Sequence, residues 1–240
     1  MHLQKTRRFR GCRIMSSQET GCKMQKQTKE EIAMEIEVKY LVPDGETADR
    51  IWEDKYLASM EEAGSRETLY MKSAYFDTED GALSKHDIAL RVRIEGEYAV
   101  ATLKWSGRTE GATHIRGEVN VPIDGNECLI SPDINLFKES EIGRDVIEIV
   151  GDKPLYSNVE VGVLRRRFRI DTGKSIIEVS IDNGEVITRC GNAPISEIEF
   201  ELFSGDRDEL ETLSETMRNT YGLEPEEKSK YARGLELITE

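Results

Sequence analysis

Strict alternation of apolar and charged residues is the feature that most limits how this chain can fold. The stretch MEIEVKY, residues 34–40, places Glu35, Glu37 and Lys39 two positions apart, with apolar residues between them. Side chains two positions apart in a β-strand point to the same face of the sheet. One face of this strand therefore carries two carboxylates and one ammonium group, and it must meet either water or a polar interior.

Several later segments repeat this pattern, each with one sign of charge on a face. In chain order, the same-face charged residues are Arg91 and Arg93, then Lys104, then Arg165, Arg167 and Arg169, then Glu178 and Asp182, and finally Glu197, Glu199 and Glu201. A single strand of this kind is ordinary in a sheet with one solvated face. Solvated faces usually mix the two signs, however, because like charges on neighbouring strands repel. The segregation favours strands that close around a polar interior with one acidic wall and one basic wall.

The spacing of the strands predicts a mainly β fold (α+β) with flanking helices. About eight strands follow one another closely and are joined by short turns, which is typical of an antiparallel barrel or sandwich. Turns are expected at residues 78–81, 95–96 and 107–111. Helical periodicity is confined to residues 47–62, 131–149 and 206–221, and the last of these is expected to be the final helix.

Residues 1–33 differ from the rest of the chain. They hold eight basic and three acidic residues and show neither helical nor strand periodicity. We interpret them as a basic, disordered leader in front of a single domain, residues 34–240. An arm that binds nucleic acid or an acidic surface is the alternative, but charged segments of this kind are more often solvated tails, and no nucleic-acid partner is expected.

The remaining composition points to a soluble protein without disulfide bonds. No run of 18 apolar residues exists, so no membrane span is expected, and a cytoplasmic location is the default. Cys12, Cys22, Cys128 and Cys190 show no spacing typical of zinc ligands, and we interpret them as free thiols. The oligomeric state is left open, with a homodimer as the commonest symmetric assembly.

The residue types on the charged faces indicate phosphate and metal chemistry. Arg and Lys donate hydrogen bonds to phosphate oxygens, Arg as a planar fork and Lys as a point charge. Clustered carboxylates suit Mg²⁺ or Mn²⁺, which prefer oxygen ligands. The net charge of −14 would by itself discourage an anionic substrate, but the basic residues are concentrated in particular strands. No Walker A loop or dinucleotide fingerprint occurs, so phosphoryl transfer would have to use the strand faces instead.

An ordered series of motifs resembles the CYTH superfamily, the triphosphate tunnel metalloenzymes. The defining ExExK pattern is present as Glu35 to Lys39. It is followed by YFDT (75–78), LRVR (90–93), TLK (102–104), RxE (116–118), RRRF (165–168), SIDNG (180–184), EIEFEL (197–202) and KSKYARG (228–234). The resemblance covers about residues 34–238. It implies an eight-stranded antiparallel closed barrel that forms a tunnel, in which triphosphates react with the help of Mg²⁺ or Mn²⁺.

The resemblance also implies roles for individual residues. The expected catalytic residues are Glu35, Glu37 and Lys39. The expected metal ligands are Glu35, Glu37, Asp182, Glu199 and Glu201, with Glu197 as an alternative member of the acidic row. The expected phosphate-binding residues are Lys39, Arg91, Arg93, Lys104, Arg116, Arg165, Arg167 and Lys230, and Glu118 is expected to line the tunnel. Tyr75 and Asp77 are interpreted equally as structural or catalytic.

Hydrolysis of inorganic triphosphate is the leading functional hypothesis, because the tunnel charges specify phosphates and no aromatic clamp for a base is evident. Adenylate cyclase, or hydrolysis of thiamine or nucleoside triphosphates, is the alternative within the enzyme class. A polyphosphate-binding module without turnover is the alternative outside it. Carboxylates near the ligand argue against the binding module, since a pure anion binder gains nothing from them unless metal is present.

Overall fold

The computed structural model describes residues 32–123 and 132–239. The predicted disordered leader lies outside the described residues, except for the two that begin the first strand. Cys12, Cys22 and Cys128 lie outside them as well. Cys190 is a free, exposed thiol.

Eight antiparallel strands form a closed barrel, which confirms the predicted fold class. The strands are β1 (Ile32–Leu41), β2 (Glu67–Thr78), β3 (Ile88–Glu95), β4 (Tyr98–Glu110), β5 (Thr113–Ile123), β6 (Leu155–Asp171), β7 (Ile176–Thr188) and β8 (Gly191–Ser204). Their order is β5-β4-β3-β2-β6-β7-β8-β1, and pairing of β1 with β5 closes the barrel. A two-residue strand, β9 (Glu224–Pro225), adds to β1. The acidic strands β7, β8 and β1 are therefore neighbours, with Arg-bearing β6 on one side and β5, β4 and β3 on the other.

Short helices lie around the barrel and at one end of it. They are α1 (Gly45–Trp52), α2 (Lys55–Ala58), α3 (Glu141–Val150), α4 (Arg207–Tyr221) and α5 (Lys230–Thr239). The predicted helix at 47–62 is interrupted, because the Asp54 carboxylate accepts hydrogen bonds from the backbone N–H groups of Tyr56 and Leu57 and begins α2 there. The expectation that the helix at 206–221 is the last one is wrong, since α5 follows it. None of the described helices is long and apolar enough to cross a membrane.

Two apolar layers on the outside of the barrel explain which strand faces turn inward. Helices α1, α2 and α4 cover β1 and β6–β8, where Phe168 and Phe200 are almost fully buried. Helix α3 and a 3₁₀ turn at Ile134–Phe137 cover β2–β5, where Phe76 and Leu90 are fully buried. Each such side chain contributes about 1.5–3 kcal/mol when it leaves water. Because the apolar faces must meet the helices, the alternating charged faces point into the barrel.

A β-bulge in β4 corrects the turn predicted at residues 107–111. The β4–β5 register shifts between Trp105 and Arg108, so Gly107 lies within the strand and the turn comes at Gly111, which has a φ of 61°. Trp105 packs over Gly117 of β5, where a Cβ atom would lie 2.5 Å from the indole ring. The bulge therefore changes the direction of β4 near the end of the barrel that carries α5.

Candidate active site inside the barrel

A cavity of about 260 Å³ lies inside the barrel, and we refer to it as the tunnel. The residues expected to be catalytic, to bind phosphate or to bind metal line it, whereas Glu197, the alternative member of the acidic row, and Asp77 are not among the lining residues. Those that line it are Glu35, Glu37, Lys39, Arg91, Arg93, Lys104, Arg116, Arg165, Arg167, Asp182, Glu199, Glu201 and Lys230. The structure thus brings together residues from β1, β3–β8 and α5 that lie up to almost 200 positions apart in the chain.

Glu35 and Glu37 of β1 are held by cations from β4 and β5. Arg116 donates from Nε to Glu35 Oε2 and from Nη2 to Glu37 Oε1, each at 2.7 Å, and Lys104 Nζ lies 2.6 Å from Glu35 Oε1. Burial by itself would raise the pKa of Glu35, but Lys104 and Arg116 outweigh it and hold the pKa below its usual value. Glu35 is therefore an ionised carboxylate at neutral pH.

Lys39 lies between two of the carboxylates. Its Nζ atom is 3.4 Å from Glu37 Oε1 and 3.4 Å from Glu199 Oε1, and the residue is 2% exposed. Burial lowers the pKa of an ammonium group, but Glu37 and Glu199 more than offset this and raise the pKa of Lys39. Lys39 therefore stays charged and bridges β1 and β8.

A second acidic group consists of Asp182, Glu197 and Glu199, whose carboxylate oxygens lie within 4.8 Å of one another. Lys230 of α5 reaches into this group, with Nζ 2.8 Å from both Asp182 Oδ2 and Glu199 Oε1 and in contact with Glu197. Arg165 adds a bidentate pair to Asp182 at 2.7 Å. Three oxygen ligands at this spacing fit Mg²⁺ or Mn²⁺, but a divalent ion here would have to displace the Lys230 ammonium group.

Glu201 is in a different electrostatic environment from these carboxylates. It lies opposite Glu37 in the β1–β8 register. Burial, together with the negative charges of Glu35 and Glu37, raises the pKa of Glu201 to about 8. Glu201 is therefore a carboxylate that can change its protonation state near neutral pH.

The opposite part of the tunnel is crowded with guanidinium groups. Arg91 donates to Thr102 Oγ1 at 3.3 Å, and its buried Nε atom has no hydrogen-bond partner among the described residues. Arg93 Nε lies 2.6 Å from Glu95 Oε1, although the two atoms do not meet hydrogen-bond geometry. Burial and the nearby charge of Arg91 lower the pKa of Arg93 to about 10. Such unfavourable proximity of like charges is offset when a multiply charged anion binds between them.

Helix α5 closes much of one end of the tunnel, and sequence reasoning assigned a role only to its Lys230. Tyr231 stacks on Tyr75 of β2 with ring centroids 4.8 Å apart and an interplanar angle of 11°. Arg233 Nη1 lies 3.0 Å from Glu197 Oε2. The signal for both was present in the KSKYARG motif, but only the position of α5 at the barrel end shows what these side chains contact.

Asp77, which was interpreted as either structural or catalytic, is structural in its contacts. Its carboxylate accepts hydrogen bonds from the backbone N–H groups of Thr78, Leu83 and Ser84. These bonds fix the turn between β2 and β3. Tyr75, in contrast, faces the tunnel.

Comparison with known proteins agrees with this geometry. The sequence model of the family described as "CYTH domain" matches residues 33–235. An inorganic triphosphatase from Haemophilus influenzae is 30% identical over 152 residues, which are 63% of this chain and 41% of that protein. The chain thus spans less than half the length of this curated relative.

Solved structures with low sequence identity share the fold. A Hippeastrum protein, whose description names adenylyl cyclase and a dominant triphosphatase activity, has a TM-score of 0.61 at 21% identity, covering 85% of this chain and 96% of that one. A Pyrococcus horikoshii protein has a TM-score of 0.54 at 21% identity, covering 84% of this chain and 98% of that one. A Bacillus halodurans protein described as an adenylate cyclase has a TM-score of 0.54 at 19% identity, covering 82% and 94%.

Proposed function

Because the chain belongs to the CYTH domain family, we propose that it hydrolyses inorganic triphosphate to diphosphate and orthophosphate inside the tunnel, with Mg²⁺ or Mn²⁺ as cofactor. The observation that carries the proposal is the pair Arg91 and Arg93, each of which buries an Nε atom that has no hydrogen-bond partner among the described residues. Two adjacent guanidinium groups with incompletely satisfied donors destabilise the unliganded protein. A chain of phosphoryl groups would supply the missing acceptors and charge, whereas a neutral ligand would not.

The proposed substrate contacts follow from the positions of the basic residues. Arg91, Arg93, Arg165 and Arg167 would hold the phosphoryl oxygens from β3 and β6. Lys39, Lys104, Arg116 and Lys230 would orient the reacting end beside the carboxylates of β1, β7 and β8. Holding the chain in one position lowers the barrier by orientation and by neutralising charge as the bond to the leaving group breaks.

The proposed metal ligands are Glu35, Glu37, Asp182, Glu199 and Glu201, and Glu197 joins them because it belongs to the second acidic group. When bound, Mg²⁺ or Mn²⁺ would neutralise phosphoryl oxygens and increase the acidity of water at the site. Among these ligands, Glu201 has a pKa of about 8 without metal, so it would have to lose a proton near neutral pH in order to bind the ion. Its deprotonation would make hydrolysis faster on the alkaline side of neutrality.

A triphosphate with an organic group is the second candidate substrate. Phe203 lines the tunnel and is 57% exposed at its rim, where an aromatic base or ring could stack on it. This would suit ATP or thiamine triphosphate, and the descriptions of two structural neighbours name cyclase activity. The same rim also accommodates tripolyphosphate, which carries no organic group, so the inorganic substrate stays the leading proposal.

Incubation of the metal-free protein with tripolyphosphate, ATP or thiamine triphosphate tests the proposal, with EDTA, Mg²⁺ or Mn²⁺ in parallel. We expect the highest kcat/KM for tripolyphosphate, no turnover in EDTA, and diphosphate plus orthophosphate as products by ion chromatography. Faster turnover of an organic triphosphate, or formation of cyclic AMP, would replace the inorganic substrate. Tight binding without turnover in any metal would indicate the non-catalytic binding module.

Glu37→Ala tests the role of the first acidic pair. We expect kcat/KM for tripolyphosphate to fall by about 10²–10⁴-fold, because the variant loses a proposed metal ligand and a partner of Lys39. Glu97→Ala, on the exposed β3–β4 turn, is the matched control and should retain wild-type activity. Wild-type turnover in Glu37→Ala would reject the assigned role.

A further inference from the structure

A side cavity of about 170 Å³ adjoins the tunnel between the bulge of β4 and the beginning of α5. Both cavities are lined by Ala89, Lys104, Arg116, Ser229 and Tyr231, so they meet at these side chains. A third cavity, of about 220 Å³, continues outward from the side cavity. The three spaces follow one another from the tunnel to the surface and share lining side chains, and we refer to the outer two as the side passage.

The outer cavity reaches solvent. It shares Gly107, Arg116, Ser229 and Ala232 with the side cavity. It is also lined by residues that are exposed, namely Arg108, Glu227 and Lys228. The side passage therefore ends at the surface rather than in the core.

The position of α5 explains why a gap remains at the barrel end between this helix and the bulge of β4. Lys230 and Arg233 bind carboxylates of β7 and β8, and Gly234 packs directly against Val159 of β6. These contacts draw the helix toward β6–β8. The gap lies on the other side of the barrel end, where β3 begins and β4 ends.

The backbone at the gap is locally strained. Asp87 and Ser106 have φ values of 56° and 54°, a conformation that non-glycine residues rarely adopt. The Asp87 carboxylate accepts a hydrogen bond from Gly107 N–H at 3.0 Å, which ties the start of β3 to the bulge of β4. Strained backbone of this kind persists only where its surroundings stabilise it, and it occurs preferentially at functional sites.

Cations outnumber carboxylates along the side passage, although each of these cations is also paired with a carboxylate outside it. Lys104 and Arg116 lie at its junction with the tunnel, and Arg108 and Lys228 lie toward the surface. Glu227 and Asp87 are the acidic residues among its lining, and Asp87 is already engaged with the backbone. The side cavity of about 170 Å³ has room for several water molecules at about 30 Å³ each, so a small ion fits in it.

The side passage and the main opening of the tunnel lie at opposite ends of the barrel. Arg93 is near the last residue of β3, whereas Asp87 immediately precedes its first residue. Phe203, at the rim of the main opening, is likewise near the end of β8 that is remote from α5. A triphosphate that enters past Arg93 and Phe203 therefore places its terminal phosphoryl group toward Lys104 and Arg116.

We propose that the side passage is the exit for orthophosphate. The proposal rests on the hydrolase function proposed above, in which water adds across the terminal P–O–P bond and yields diphosphate, orthophosphate and a proton. Orthophosphate forms next to the junction and leaves through the side passage. Diphosphate stays with the arginines of β3 and β6 and leaves through the main opening.

Narrowing the side passage tests the proposal. Ala232 lines both of its cavities from α5, and Ala232→Trp would fill them, whereas Ala232→Ser is the size-matched control. Gly107→Phe narrows the passage from the opposite side. A Cβ atom at Gly107 would meet only Asp87 Oδ2, at 3.9 Å, and Gly107→Ala is its control.

The readout separates the formation of orthophosphate from its release. Chemical quenching measures all orthophosphate formed, and a fluorescent phosphate sensor measures only the fraction released. For Ala232→Trp and Gly107→Phe we expect an unchanged rate of formation, a burst of about one orthophosphate per protein, and release slowed at least tenfold. Diphosphate release should be unchanged. Unaltered orthophosphate release in both folded variants, or an equal delay of both products, would overturn the proposal.

A second measurement does not depend on turnover. In a background in which Cys12, Cys22, Cys128 and Cys190 are replaced by serine, Ala89→Cys places the single remaining thiol at the junction of the two cavities. With tripolyphosphate in the tunnel and no metal present, an anionic methanethiosulfonate reagent should modify this thiol through the side passage, and Ala232→Trp should slow the modification at least tenfold. An unchanged rate would reject the passage, whereas absence of hydrolysis by the unaltered protein would reject the hydrolase function instead.

Discussion

Glu35 and Glu201 show how two carboxylates in one cavity acquire opposite chemical properties. Glu35 contacts Lys104 and Arg116, and its pKa is lowered although it is buried. Glu201 is influenced mainly by burial and by the charges of Glu35 and Glu37, so its pKa rises to about 8. The difference comes from the positions of two cations, and it makes the charge of Glu201 depend on pH in the working range.

The first prediction concerns the stability of Glu201→Gln in metal-free protein. Below about pH 4.5 the carboxyl group is protonated in both the folded and the unfolded chain. Between pH 4.5 and 8 the unfolded chain ionises first, so rising pH destabilises the folded protein. At about 1.4 kcal/mol per pKa unit, Glu201→Gln should raise the free energy of unfolding by ~1–4 kcal/mol at pH 9 and by ~0 at pH 4. Urea unfolding of both proteins at pH 4 and at pH 9 measures the difference in the free energy of unfolding.

The control for this prediction is Glu97→Gln, whose side chain is exposed. It should leave the free energy of unfolding within ~0.5 kcal/mol of the wild-type value at both pH values. A Glu201→Gln variant that is less stable than the wild type at pH 9 would contradict the raised pKa of this residue.

The second prediction concerns Arg93→Met, which keeps the volume of the side chain but removes its charge. We expect the affinity for tripolyphosphate to fall by about 10–100-fold, because one charge-assisted interaction contributes about 1.5–3 kcal/mol. The free energy of unfolding without ligand should stay within ~1 kcal/mol, since relief of the repulsion from Arg91 offsets the lost contact with Glu95. Calorimetric titration in EDTA and urea unfolding measure the two quantities. Arg169→Met, which removes a half-exposed rim arginine, should leave the affinity unchanged.

At the scale of secondary structure, α5 is held in place by buried charge as well as by apolar contacts, since Leu235, Leu237 and Ile238 pack against the cluster that contains Val159 and Val186. Its buried residues are Tyr231 and Gly234, and its strongest contacts are those of Lys230 and Arg233 with carboxylates. Removing one member of a buried ion pair leaves the other charges uncompensated and typically costs about 3–5 kcal/mol. The position of α5 should therefore depend on Lys230.

The third prediction is that Lys230→Met lowers the free energy of unfolding by about 3–5 kcal/mol in EDTA, and that Mn²⁺ restores part of it. The restoration is expected because Asp182, Glu197 and Glu199 are then free to bind a divalent ion. Lys228→Met removes an exposed pair with Glu236 and should cost less than ~1 kcal/mol with or without Mn²⁺. Equal destabilisation of Lys230→Met with and without Mn²⁺ would argue against a metal at this group.

The sequence reveals which faces of the strands point inward, but it does not reveal which charges meet. The period of two is a local property, so Glu35, Arg93 and Glu199 could each be assigned to the interior from their neighbours alone. The bond from Arg116 to Glu35 joins residues 81 positions apart, and it exists only because β5 and β1 close the barrel in one register. Such pairing depends on the whole sheet.

Helix α5 escaped prediction for a related reason. It has ten residues, and Gly234 in its middle disfavours an isolated helix. The glycine is required by packing, because a Cβ atom there would lie 2.4 Å from a methyl group of Val159. Its helical conformation is thus stabilised by contacts with the barrel, which local periodicity does not report. The bulge of β4 was missed likewise, since Gly107 suggested a turn.

At the scale of the whole molecule, closing the barrel makes the acidic strands neighbours and gives the protein two opposing responses to pH. The carboxylates of Glu35, Asp182 and Glu199 have lowered pKa values, because cations outweigh the effect of burial. Those of Glu197 and Glu201 have raised pKa values, for which burial is the first cause. The first group stabilises the fold when ionised, and the second destabilises it when ionised.

The last prediction is that the metal-free protein is most stable near pH 5. As the pH falls below about 4.5, the groups with lowered pKa values begin to bind protons in the unfolded chain first, and their stabilisation is lost. As the pH rises from 4.5 toward 8, the groups with raised pKa values ionise first in the unfolded chain, which destabilises the folded protein. The net charge also grows from near zero at the pI of 4.9 to −14 at pH 7, and the resulting repulsion destabilises the fold further. Mn²⁺, added together with tripolyphosphate, binds the ionised carboxylates and should move the pH of maximum stability above 7. Urea unfolding followed by tryptophan fluorescence from pH 3.5 to 9 measures both curves. A metal-free stability that rises steadily to pH 8 would show that the cations outweigh burial at Glu197 and Glu201 as well, and would contradict their raised pKa values.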